Sequence, residues 1–166
     1  MAEIARRAGI AKSVVSYHFE NKEELMTEVV RVALATYAEF MQPRVSAATS
    51  AHDRLRAYLT GTAAYIVERH SLHAAVIEIA FNATSENGRP LVARIPLQAP
   101  EPSVEAILLE GQRASEFRDF DVAVVADMVR SAVNHAMVLR LRTDPTVDLA
   151  AYADEVVRLF ALGVQA

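Results

Sequence analysis

Between Gly9 and Leu25 the sequence reads GIAKSVVSYHFENKEEL. Lys12, Ser13, Ser16, Tyr17, His18 and Lys22 crowd into this short stretch. Hydroxyl and imidazole groups can donate to phosphate oxygens or base edges, and two ammonium groups add cationic contacts. Lys22 stands beside a helix start, where free backbone N–H groups also favour an anion. Side chains of this kind are costly to bury, and a helix this short is hardly stable alone. They therefore belong on a surface that neighbouring elements must position. From Ile4 to Phe19 the chain carries Arg6, Arg7 and Lys12 and no acid, a local basic patch in a chain of net charge −4.

Four further groupings carry polar chemistry on apolar ground. Glu78 and Asn82 lie four apart in LHAAVIEIAFNA and read either as polar anchors of a ligand pocket or as a solvated edge. Asn134 and His135, in RSAVNHAMVL, pose the same choice, with a subunit interface as a third reading. His70 and His73 have an i, i+3 spacing that suits a metal, but no acid accompanies them, and the simpler reading is a pair of surface histidines. Tyr37, Phe40, Tyr58, Tyr65 and Phe81, with Met128 and Met137, line either a drug-like cavity or the ordinary core. The candidate ligand set is Tyr58, Tyr65, Glu78, Phe81, Asn82, Met128 and Asn134. No Ser-His-Asp order, phosphate-cradling glycine loop or paired-carboxylate motif stands out. The chain is read as a binding protein that uses no cofactor and no metal, not as an enzyme.

Long apolar-periodic segments separated by Pro and Gly, with no sustained alternation, predict an all-α fold. Helices are expected over 2–8, 12–19, 21–41, 51–70, 71–84, 103–114, 121–142 and 148–162. Gly9 should stop the first in a left-handed conformation, Asn21 should cap the third with Glu24 reaching back, and Pro43 should end it. SAATSAHD divides a head, 1–45, from a larger body, 46–166, and the proline-rich stretch 85–102 is expected to be an irregular loop over an entrance. The last two helices are apolar on more than one face. They predict a four-helix dimer interface, with Val133 and Met137 as test positions. With 52% hydrophobic residues the chain is not disordered, and the absence of Cys removes disulfides and thiolate zinc sites. No window holds the roughly 18 consecutive apolar residues of a membrane span. The first residues, with Glu3, Arg6 and Arg7, do not read as a signal peptide, so a cytoplasmic location without membrane contact is expected.

Helix, glycine turn, short helix is the helix-turn-helix arrangement, whose second helix can enter the major groove of DNA. The residues add a family resemblance. MAEIARRAGIAKSVVSYHFENKEELMTEVV is similar to the DNA-binding segment of tetracycline-repressor-like (TetR) regulators, through Ile4-Ala5, Ala8-Gly9-Ile10, Lys12, Tyr17, Phe19 and the Asn21-Lys22-Glu23-x-Leu25 run. EGQRASEFRDFD and the two closing helices resemble the family's C-terminal regulatory domain. The resemblance implies a homodimeric repressor with an N-terminal helix-turn-helix head and a ligand-binding and dimerisation domain. A small-molecule effector then releases it from operator DNA. The DNA-facing set is Lys12, Ser13, Val14, Ser16, Tyr17, His18 and Lys22. Three departures stand out. Ala11 replaces the usual Ser or Thr cap, Ser16 replaces a common aromatic, and the helix that precedes the motif in the family is missing, so the head is incomplete. Further residues with a basic helix are therefore expected before Met1, and the 166-residue form is expected to dimerise but bind operator poorly. The competing reading is an all-α small-molecule-binding or interaction protein that has lost DNA binding.

Overall fold

The structure, a computed structural model, describes residues 1–85, 87–94 and 103–165. They form α1 (Ala2–Arg7), α2 (Lys12–His18), α3 (Lys22–Ser46), α4 (Ala51–Glu68), α5 (His70–Asn82), α6 (Val104–Arg113), α7 (Val122–Arg130), α8 (Met137–Thr143) and α9 (Leu149–Val164). A short 3-10 helix, Leu91–Arg94, follows α5, and a π turn, Ser131–Ala136, joins α7 to α8. Among the described residues extended pairing is limited to isolated bridges, such as Thr84 with Pro90. The fold is all-α.

Local chemistry sets most helix ends. Gly9 has φ +69°, and Gly9 N–H donates to the Arg6 carbonyl while Ile10 N–H donates to that of Ala5. This pair of bonds is the Schellman closure, which needs a left-handed residue and so favours glycine. Asn21 accepts from Glu24 N–H at 2.9 Å, and the Glu24 carboxylate reaches back to Glu20 N–H at 2.6 Å. Ser50, Ser103, Asp121 and Asp148 cap α4, α6, α7 and α9 through their side-chain oxygens. α2 has no side-chain cap, so Ser13 does not substitute for the missing hydroxyl at Ala11.

α4 is the hub of the body. It touches α3, α5, α6, α8, α9 and the π turn, and it buries Leu55, Tyr58, Leu59, Tyr65 and Ile66. The main core gathers these with Tyr37, Met41 and Val45 of α3, Ile107 and Leu108 of α6, and Ala126, Val129, Val133 and Met137 along α7 to α8. A second, smaller core joins Val30, Ile79 and Leu91, tying α3 to α5 and the 3-10 helix.

Two expectations need correction. Pro43 does not end α3, which runs on to Ser46. The ring forfeits one helical hydrogen bond, but Met41 and Val45 on either side are buried in the main core, and that burial holds the helix together. Val133 and Met137 are fully buried within the chain and do not belong to an outer face. The exposed apolar stripe on this helix is instead Val124, Met128 and Leu139, with Leu159 and Leu162 exposed on α9. The run Val122–Thr143 is also long and apolar enough to cross a membrane by composition alone. Its inward residues Ala126, Val129, Val133 and Met137 belong to the main core, while only 28% of its apolar window is buried.

Part of the stretch 85–102 is ordered. Ser85 N–H donates to the Arg89 carbonyl, Gly88 turns with φ +72°, and Leu91 is buried. Residue 86 and residues 95–102, on which the entrance-loop expectation also rests, lie outside the described residues.

Candidate DNA-binding head and effector region

α1 and α2 pack on each other across the Gly9 turn, burying Ala5 and Val15. Val15 is the sole residue that α2 buries. Lys12, Ser13, Val14, Ser16, Tyr17 and His18 are all exposed, Tyr17 at 85% of its surface, and Lys22 is exposed at the first position of α3. All seven candidate DNA-facing residues are therefore exposed. The Tyr17 and His18 rings meet edge to face at 5.0 Å. Among the described residues neither Lys12 nor Lys22 forms an ion pair.

The two arginines behave differently. Arg6 and Arg7 both bind Glu3, at 2.6 and 2.9 Å, and the guanidiniums hold the Glu3 carboxyl below its usual range. The spacings i+3 and i+4 from Glu3 signal this pairing, which a charge count beginning at Ile4 passes over. Such exposed pairs are weak, so a phosphate can replace the carboxylate. Ile4 and Ile10 remain more than a third exposed, while Phe19 and Leu25 are half-buried.

The seven candidate ligand residues are not gathered into one cavity. Tyr58 and Tyr65 are buried in the main core. Glu78 and Asn82 are exposed, and with Asn21, Lys22, Met26 and Ile79 they line a cleft of about 470 Å³ where α5 meets the start of α3. Phe81 is exposed and sets its ring 5.2 Å from that of His135. Met128 is exposed on the outer stripe, and Asn134 is half-buried in the π turn.

Between α3 and α4 runs a ladder of hydroxyls in which Tyr37 and Tyr65 meet Thr62 and Thr36, two threonines that sequence reasoning left unassigned. Tyr37 Oη and Thr62 Oγ1 are 2.7 Å apart, and Thr62 donates onward to the Tyr58 carbonyl at 2.8 Å. Tyr65 Oη lies 3.0 Å from Thr36 Oγ1, which reaches the Ala33 carbonyl. Burial pushes the Tyr37 and Tyr58 phenols up, so both stay neutral donors. The signal in the sequence is Thr36-Tyr37 and Thr62 interrupting otherwise apolar faces.

His70 and His73 are not a surface pair. His70 is exposed and touches Ser71, whereas His73 faces inward, 9% exposed. Among the described residues no three His, Cys, Asp or Glu side chains are grouped to hold a metal.

Residues 1–29 match the family model described as bacterial regulatory proteins, tetR family. The whole chain is similar to the fatty acid metabolism regulator protein of Bacillus subtilis (strain 168), 21% identical over 99% of this chain and 84% of that protein. The solved transcriptional regulator FadR from Bacillus subtilis, in complex with stearoyl-CoA, superposes with a TM-score of 0.81. It is 21% identical over 99% of this chain and 88% of its own. The TetR family transcriptional regulator PfmR from Thermus thermophilus superposes with a TM-score of 0.74. It is 23% identical, again over 99% and 88%. Each of these proteins is a regulator by name.

Proposed function

We propose that this TetR-like chain is a cytoplasmic transcriptional repressor that binds operator DNA as a homodimer and leaves it when a small-molecule effector binds the body. The observation that carries the reading is α2. A helix that buries a single valine and exposes every polar side chain, inside a segment matching the model of bacterial regulatory proteins of the tetR family, is built for an external partner. Lys12, Ser13, Val14, Ser16, Tyr17 and His18 face the major groove, and Lys22 holds a phosphate at the start of α3. The head is taken as residues 1–45 and the body as 46–166. α3 connects them, its first half on the small core and its second half in the main core.

Dimerisation uses the stripe Val124, Met128 and Leu139 together with Leu159 and Leu162, which a second copy covers as a four-helix bundle. An isologous interface of this kind holds two recognition helices about one turn of DNA apart. The effector releases DNA only by favouring a conformation in which that spacing is wrong, which requires different affinities for the two states. The Bacillus subtilis relative was solved with stearoyl-CoA, so a fatty acyl compound is the first effector class to test. Tyr58, Tyr65, Glu78, Phe81, Asn82, Met128 and Asn134 remain the residues to test around it. Titrating labelled DNA from upstream of the gene, with and without an acyl-CoA, tests both halves. Specific binding that the acyl-CoA weakens supports the reading, and no DNA binding at any salt concentration opposes it.

A further inference from the structure

The start of α3 and the end of α5 enclose the cleft of about 470 Å³, and its lining is of two kinds. Met26 and Ile79 give it an apolar floor, and Ile79 is held there by packing on Val30 and Leu91 in the smaller core. Lys22 from α3 and Glu78 and Asn82 from α5 give it polar walls, and all three are exposed. Among the described residues Lys22 and Glu78 pair neither with each other nor with any other charge. Glu23, the third charged residue of the lining, already has an interaction of its own. A cleft of this volume lies within the range of small-molecule sites.

The lining selects its occupant by charge. A purely apolar molecule would strip water from an ammonium and a carboxylate and return nothing for it. An anion alone would pair with Lys22 and leave Glu78 facing a like charge, and a cation alone would do the reverse. A molecule that carries both charges, joined by a short aliphatic segment, meets each group with its opposite and lays that segment over Met26 and Ile79. Each of the two pairs is exposed and so worth little alone. Held by one molecule they act together, since the first contact sets the second at a high effective concentration.

We propose that this cleft binds a small zwitterion, its carboxylate on Lys22 and its ammonium on Glu78, with the Asn82 side-chain oxygen as a further acceptor. This is a second site, beside the effector region of the body, and it draws on Glu78 and Asn82 of the seven candidates. Its consequence for DNA rests on the reading of Lys22 as a phosphate contact. An ammonium held by the zwitterion's carboxylate is not available to a phosphate, so cleft occupancy and DNA binding compete at one side chain. The weakening is local, and it requires no change in the spacing of the two heads.

The probe is 6-aminohexanoate, with hexanoate and hexylamine as one-ended controls, each titrated into the full chain and followed by backbone amide shifts. The zwitterion should bind about fivefold more tightly than either control, which is the most that one exposed pair contributes. Its shifts should gather at residues 22–26 and 78–83. Glu78→Gln should reduce its affinity to that of hexanoate, and Lys22→Gln to that of hexylamine. Both positions are exposed, so both variants should fold. Equal affinity for the three probes, shifts centred elsewhere, or a preference that survives both substitutions would overturn the site. A salt titration with labelled duplex tests the competition. Saturating probe should lower the slope of log K against log salt by about 0.9 for each lysine it occupies, and should have no effect on Lys22→Ala. A probe that binds the cleft yet leaves DNA binding untouched overturns the competition while the site stands. If the chain binds no DNA even without probe, the DNA reading falls, and the amide shifts still decide the site.

Discussion

At the scale of single residues, the charges of the head divide into occupied and available ones. Arg6 and Arg7 are engaged by Glu3, while Lys22 stands exposed on the first turn of α3. Lys22→Ala should weaken DNA binding about equally on all sequences. It should also reduce the slope of log K against log salt by about 0.9 for each phosphate that the lysine no longer neutralises. A salt titration on specific and random duplexes measures both, and an unchanged slope would show that Lys22 touches no phosphate. His73 makes a second prediction, on stability. Its folded pKa lies below the ordinary 6.5, so near and below that pH the unfolded chain binds more protons than the folded one. The stability His73 permits is therefore complete above about pH 6.5 and declines as the pH falls below it. Melting temperatures at pH 7.5 and 5.5 should show a larger acid loss for the wild type than for His73→Phe, and equal losses would contradict the assignment. The sequence showed that histidine and its neighbours as a helical i, i+3 pair. Which of the two turned inward depends on how α5 sits on α4, and spacing alone does not carry that.

At the scale of elements, much of the fold was legible because it rests on local chemistry. Gly9, Asn21, Ser103, Asp121 and Asp148 mark helix ends that need a left-handed residue or a side-chain acceptor, and each does so here. What was not legible depends on partners distant in sequence. Pro43 is a helix breaker by its own chemistry, and the burial of Met41 and Val45 against α4 overrides it. The π turn at Ser131–Ala136 leaves no compositional trace, since the apolar pattern runs straight through it. Val133 and Met137 nevertheless point inward and Met128 outward. Close approach between elements is equally silent in sequence. A Cβ on Gly111 would sit 2.1 Å from the Phe117 ring, which closes the end of α6 against the body. Gly111→Ala should therefore destabilise the protein by about 1–3 kcal/mol, as overpacking does. A urea midpoint that does not fall would mean that Phe117 moves aside at no cost.

At the scale of the whole molecule, the apolar surface left open on α7, α8 and α9 is the part of the fold that a single chain does not complete. Met128→Glu combined with Leu159→Glu should yield a folded monomer with a native helical spectrum and about tenfold or weaker operator binding, because two linked heads bind far better than one. Charges at Val133 and Met137 should instead unfold the chain, since both lie in the main core. Light scattering and circular dichroism on the two double variants separate these outcomes, and a dimer that survives the first pair would place the interface elsewhere. The exposure of the head's polar residues from Lys12 to Lys22 was readable, because such side chains are costly to bury. The effector site was not, because the residues that looked like a pocket divide between core, cleft and outer stripe. The central claim is that α2 reads DNA, and one measurement addresses it most directly. Fluorescence anisotropy of a labelled duplex from upstream of the gene should be followed from low to physiological salt, with the wild-type protein and with Tyr17→Ala. Binding should be tighter on this duplex than on a scrambled one and steeply salt-dependent, with that preference lost in the variant. Equal binding to both duplexes, or a preference that survives Tyr17→Ala and Lys12→Ala together, would contradict the claim.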